Sequence, residues 1–142
     1  MSSERSDDLP AGRTATIHPH KGRTGLMRVL WATRHSFAGL RAAYVGESAF
    51  RQEVWLAVIL SPASFWLGDG KFEVTLLLGS LVLVLIVELL NSAIEATVDR
   101  VSFEFHDLSK RAKDIASAAV LLSLLWCAGV WAWALLDRLT SL

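Results

Sequence analysis

No charged side chain stands between Val74 and Val87, and the first one after that run is Glu88. So long an apolar stretch calls for a helix, because a helix satisfies its backbone N–H and C=O groups within its own segment. The run continues through Leu89 and Leu90 and then turns polar, with Asn91, Ser92, Glu95 and Asp99. With Glu88 at the origin, a helix places Asn91 at about −60°, Ser92 at about 40°, Glu95 at about −20° and Asp99 at about 20°. Three carboxylates and an amide therefore share one stripe, while Ile94 and Val98 point elsewhere. Carboxylates at the edge of an apolar span are costly and mark a site or a pathway. On one stripe they also repel one another unless a divalent cation or a lysine sits among them.

Two more apolar segments flank this one. Ile115 to Leu136 is long enough to cross a bilayer unaided, whereas Val54 to Leu67 is short and contains Pro62. A span needs about 20 apolar residues, so the shorter segment spans only if its helix begins near Ser48. With 53% hydrophobic residues in 142 and a net charge of +0, bulk charge points to neither nucleic acid nor an acidic partner. The lone Cys127 excludes an internal disulfide framework and a multi-cysteine metal site. The first residues are polar and lack an apolar stretch, which argues against a cleaved signal peptide. The expectation is an all-α membrane protein. A disordered cytoplasmic tail covers about residues 1–25, an amphipathic surface helix about 26–46, and three transmembrane helices about 48–67, 74–98 and 115–136.

Basic residues set the orientation. Arg28, Arg34, Arg41 and Arg51 precede the first span, and Arg100, Lys110, Arg111 and Lys113 lie between the second and third. The turn from Gly68 to Glu73 holds only Lys71, and the C-terminal end only Arg138. The N-terminus and the second loop are therefore expected in the cytoplasm and the C-terminus outside, with Trp66, Trp131 and Trp133 at the outer boundary. In the surface helix Leu26, Val29, Leu30, Phe37, Leu40 and Tyr44 fall within an arc of about 100°, flanked by Arg34 and Arg41.

Two other groups can join the acidic stripe. Glu47, Arg51 and Glu53 stand where the first span begins, although acids at a helix start also suit its dipole. Glu104, His106, Lys113 and Asp114 approach the third span; Lys113 is the candidate for an anionic phosphate or, equally, a positive-inside anchor. There is no Gly-rich loop ending in Gly-Lys-Ser/Thr and no kinase catalytic loop. Residue chemistry thus reaches a carboxylate-rich membrane site, with a metal ion as its natural partner. It does not reach a reaction, and a proton-coupled transporter or a structural subunit with paired acids remains open at this point.

Several stretches go further: Gly39-Leu40-Arg41-Ala42-Ala43, Glu47-Ser48-Ala49-Phe50-Arg51-Gln52-Glu53, Ile86-Val87-Glu88-Leu89-Leu90-Asn91-Ser92-Ala93-Ile94-Glu95, Val98-Asp99-Arg100 and Leu108-Ser109-Lys110-Arg111-Ala112-Lys113-Asp114. In this order they resemble the prokaryotic diacylglycerol kinase family, closely from Gly39 to Ala119 and more loosely through the third helix. The resemblance implies a homotrimer in the bacterial inner membrane that phosphorylates diacylglycerol with ATP and Mg2+ to give phosphatidic acid. It further implies that Glu88 is the general base, with Asn91 beside it, and that Glu47 and Glu95 hold the metal. Arg28, Ser36, Glu104, His106, Lys113 and Asp114 match nucleotide-binding positions, together with the two metal-binding acids. Arg51, Glu53, Glu88 and Ser117 match the lipid side. Undecaprenol is the alternative lipid alcohol within the same family. The sequence departs from the family pattern at Trp31, where relatives carry a basic residue, and at Phe105, where tyrosine is common.

Overall fold

The computed structural model describes residues 25–101 and 106–141. Within them the chain forms four helices and no strand: α1 (Leu26–Gly46), α2 (Ser48–Leu67), α3 (Lys71–Val101) and α4 (Asp107–Thr140). The chain divides into two units, Met1–His35 and Ser36–Leu142. The N-terminal tail, including His18 and His20, lies outside the described residues, as do Glu104 and Phe105.

In the first unit the start of α1 follows Gly25, whose φ of 77° suits glycine and whose carbonyl accepts the N–H of Arg28 at 3.0 Å. The Arg34 guanidinium lies 5.6 Å from the centre of the Trp31 ring, which in turn neighbours His35. Along the whole of α1 the apolar side chains Val29, Leu30, Phe37, Leu40 and Tyr44 are exposed.

In the second unit α3 and α4 pack along each other most extensively, α2 lies against α3, and α2 touches α4 only lightly. The core is thin. Leu67, Leu77 and Ala134 form its centre, with Val130 and Trp131 packed against it. Small polar residues fill the closest helix contacts: Ser64, Ser80 and Ser123 are buried, and each hydroxyl donates to a carbonyl of its own helix, those of Ser61, Leu77 and Val120. Such bonds let serine sit between helices without an orphaned donor. Ser80 Oγ also lies 3.4 Å from Cys127 Sγ, linking α3 to α4.

The turn between α2 and α3 is tight. Gly68 donates its N–H to the Ser64 carbonyl at 3.0 Å, and Glu73 accepts the N–H of Asp69 at 2.7 Å. A Cβ at Gly68 would stand 2.8 Å from Val74 Cγ2.

Two helices, α3 with 31 residues and α4 with 34, are long and apolar enough to cross a membrane. Only 28% and 11% of their most apolar windows are buried within the chain, so they are not the covered core helices of a soluble domain. Their apolar surface faces outward, as lipid contact requires. Helix α2 carries Arg51, Gln52 and Glu53 in its first turns and is not one of these two.

Candidate functional site

The acidic stripe is real geometry on α3. Glu88 is buried, with 5% of its surface exposed, although it lies directly after the long apolar run. One turn further along, Asn91 Nδ2 lies 3.5 Å from Glu95 Oε1, at the long limit of a hydrogen bond. Asn91 Oδ1 and Ser92 Oγ are buried and have no protein partner.

The start of α2 and the corner before it bring two more acids to this stripe. Glu47 is the single residue between α1 and α2, with φ −104° and ψ 120°, and its side chain makes no capping bond. Its carboxylate and that of Glu95 are both near enough to act electrostatically on Glu88. Glu53, less than two turns into α2, is the other neighbour of Glu88, and its Oε2 is buried without a partner. Glu47, Glu53 and Glu95 are thus within electrostatic range of Glu88, and among the described residues none of the four has an ion pair. An apolar-walled cleft of about 600 Å³ opens beside them, lined by Ser36, Gly39 and Ala43 of α1, Glu47, and Ser92 and Ala96 of α3. The small side chains on both walls leave this space.

Lys113 of α4 is a cation beside the shallow end of the stripe. Its Nζ hydrogen-bonds Asp99 Oδ1 at 2.6 Å and also feels Glu95. The Asp99 bond holds the lysine above its ordinary pKa, so its positive charge is secure at neutral pH.

Other expected site residues have the following surroundings. Asp114 is paired with Lys110 of its own helix at 2.6 Å. His106 caps α4, its Nδ1 accepting the Leu108 N–H at 3.2 Å. Arg51 donates to the carbonyls of Tyr44 and Val45. Ser117 is exposed on α4, Ser36 lines the cleft, and Arg28 belongs to the first unit. Sequence reasoning missed the partnership of Asp99 with Lys113 and the orphaned hydroxyl of Ser92. The angular position of both α3 residues on the stripe was the available signal.

A hard divalent cation is the kind of metal these carboxylate oxygens could hold. Mg2+ commonly takes only one or two protein carboxylates, keeping the rest of its shell for water and phosphate oxygens. Among the described residues no group of three or more His, Cys, Asp or Glu side chains is placed to hold a metal ion. Unpaired carboxylates beside orphaned amide and hydroxyl oxygens, flanked by a lysine, can bind such a cation, take a proton and steady a transferring phosphoryl group.

Residues 34–135 match the family model described as prokaryotic diacylglycerol kinase. Among curated relatives, the diacylglycerol kinase of Pseudomonas aeruginosa is 55% identical over 118 residues, covering 83% of this chain and 96% of that protein. The diacylglycerol kinase of Escherichia coli K12 is 48% identical over 116 residues, covering 76% and 93% respectively. That of Haemophilus influenzae is 47% identical over 108 residues, covering 76% and 92%. The match takes in α2, α3, most of α4 and every acid of the converging cluster. The chain belongs to the prokaryotic diacylglycerol kinase family.

Proposed function

We propose that the protein transfers the γ-phosphoryl group of ATP to the primary hydroxyl of diacylglycerol, giving phosphatidic acid at the cytoplasmic face of the bacterial inner membrane. The observation that carries this reading is the burial of Glu88 amid Glu47, Glu53 and Glu95 at the end of an apolar helix. A general base for a lipid hydroxyl must lie at hydrocarbon depth, within hydrogen-bond reach of that hydroxyl. Glu95 is about 10 Å further along the helix, at the rise of an α-helix. This ordering sets the lipid against the deeper acid and the nucleotide against the shallower one.

In the reaction the lipid O–H gives its proton to the Glu88 carboxylate as the oxygen–phosphorus bond forms. The bond from the γ-phosphorus to its bridging oxygen breaks, and ADP leaves. Glu47 and Glu95 are the acids that would hold Mg2+, with Asn91 orienting Glu95. The ion, when bound, neutralises charge on the phosphates. Lys113 adds a fixed positive charge on the nucleotide side; Arg28, Ser36, Glu104, His106 and Asp114 are the other positions that the family resemblance assigns to the nucleotide. Glu53 and Ser117 belong to the lipid side.

The same reading makes α2 a third span. Its 20 residues reach about 30 Å at helical rise, enough for the hydrocarbon once its polar first turn lies at the boundary. The exposed apolar arc of α1 then lies on the membrane surface, the chain assembles as a homotrimer with sites shared between subunits, and the C-terminus faces out. The test is reconstitution with Mg-ATP and parallel lipid alcohols: diacylglycerol, monoacylglycerol, ceramide and undecaprenol. Phosphorylated diacylglycerol as the main product supports the reading; preference for undecaprenol moves the substrate, and no product from any of them ends it.

A further inference from the structure

The corner between α1 and α2 consists of Glu47 alone, since α1 ends at Gly46 and α2 begins at Ser48. A helix leaves its last four carbonyls without intrahelical partners. Here the Ala43 carbonyl accepts the Glu47 N–H at 2.8 Å. The next two are taken by one side chain: Arg51 Nη1 donates to Tyr44 O at 3.1 Å and to Val45 O at 2.8 Å. The Arg51 N–H also lies 3.3 Å from the Glu47 carbonyl, so this residue is tied to the corner through both backbone and side chain. A guanidinium at the carbonyl end of a helix meets the negative pole of its dipole as well.

We infer that Arg51 is a positioning residue, closing the end of α1 so that Glu47 is held against α3. Both hydrogens of Nη1 are committed to α1. The guanidinium therefore cannot present its Nη1–Nη2 fork to a phosphate or an ester without releasing the helix. Glu47 spends nothing on capping α2, and its carboxylate faces the cleft with Ser92 and Ala96. Releasing α1 would let the one-residue corner swing and carry that carboxylate away from Glu88 and Glu95. The inference rests on the reading of Glu47 as a holder of the divalent cation.

The experiment compares the full-length wild type with Arg51→Gln, Glu47→Gln and the double variant, reconstituted with Mg-ATP and diacylglycerol. Arg51→Gln should raise the Mg2+ concentration for half-maximal activity about tenfold, the usual scale for a residue supporting a metal ligand. The KM for diacylglycerol should stay at its wild-type value, and Arg51→Gln should add nothing in the Glu47→Gln background. Arg51→Lys, which can still reach a carbonyl, should recover most of the loss. A raised lipid KM with an unchanged Mg2+ requirement, or an effect that multiplies with Glu47→Gln, overturns the inference. Should Glu47→Gln alone leave the Mg2+ requirement unchanged, the metal reading of Glu47 fails by itself. The corner is then judged by the distance between nitroxides on Arg41→Cys and Thr97→Cys in a Cys127→Ser background, diluted with unlabelled protein. The same measurement decides the matter if the Arg51 variants lack activity. A distribution that broadens in Arg51→Gln supports the corner assignment, and one that does not change sinks it.

Discussion

Lys113 Nζ on α4 lies 2.6 Å from Asp99 Oδ1 on α3, an ion pair between residues fourteen positions apart that joins the two long helices beside the acidic cluster. The bond stabilises the charged form of the lysine, so its pKa in the folded protein stands above the ordinary value of 10.5. The contribution to stability is therefore complete below that ordinary value and is lost as pH rises through the higher folded one. Asp99→Asn should leave activity near neutral pH dependent on the same charged lysine but move the alkaline limb of the pH–rate profile downward. An alkaline limb that does not move would separate Lys113 from the reaction.

Glu88 is buried, and no basic side chain pairs with it among the described residues. Glu88→Gln keeps its size and removes a charge that is repelled by its neighbours. Phosphoryl transfer should fall by about 100-fold or more, the scale of a lost general base. Thermal unfolding in detergent should occur at the wild-type temperature or above it. Wild-type turnover by this variant would refute the general-base assignment.

Glu95 and Asn91 should separate in kinetics. Glu95→Gln removes a proposed metal ligand, so activity should return only at much higher Mg2+. Asn91→Ala breaks only a 3.5 Å contact to Glu95 and should shift the Mg2+ requirement by a smaller factor, about threefold for a hydrogen bond near 0.6 kcal/mol. Mg2+ titration of the two variants side by side checks the order.

Leu77 is 1% exposed and sits with Leu67 and Ala134 near the α2–α3 turn. Leu77→Ala leaves a cavity between helices and should cost about 2–4 kcal/mol. Glu88 is about 16 Å further along α3 at helical rise, so kcat per folded molecule should hardly change. Unfolding in a denaturing detergent series, with activity measured on the fraction that remains folded, tests both halves.

Gly68 is limited by space and not by backbone conformation, for its φ is −77°. A methyl group there meets Val74 Cγ2 at 2.8 Å, Val74 N at 3.0 Å and the Ser64 carbonyl at 3.1 Å. Gly68→Ala should lower stability by about 1–3 kcal/mol, as overpacking does. Gly79→Ala, where nothing lies within 4 Å of the added carbon, should be neutral or better and serves as the control.

Much of the candidate site was legible before any coordinate, because helical periodicity converts spacing into direction. Once Val74 to Val87 is a helix, Glu88, Asn91, Glu95 and Asp99 must share a face, and they do. The all-helical class followed from the same apolar runs. Contacts between helices were not legible, because no local rule says which faces meet. Asp99 read as one more acid of the stripe until α4 set Lys113 on it. The pairing of Asp114 with Lys110 along its own helix was likewise not singled out.

The sequence by itself determined that this chain is helical and that Glu88, Asn91, Glu95 and Asp99 share one face; it read three spans, of which α3 and α4 are long and apolar enough to cross a bilayer. Those properties depend on residue type and a fixed angular step, which are local. Only the tertiary structure decided that Glu47 at the α1–α2 corner and Glu53 of α2 would come within electrostatic range of Glu88, that Lys113 would anchor to Asp99, and that Arg51 would close the end of α1. Each of these depends on how separate helices are set against one another or on the turn at a single residue, Glu47, and such geometry is fixed by packing across the whole bundle.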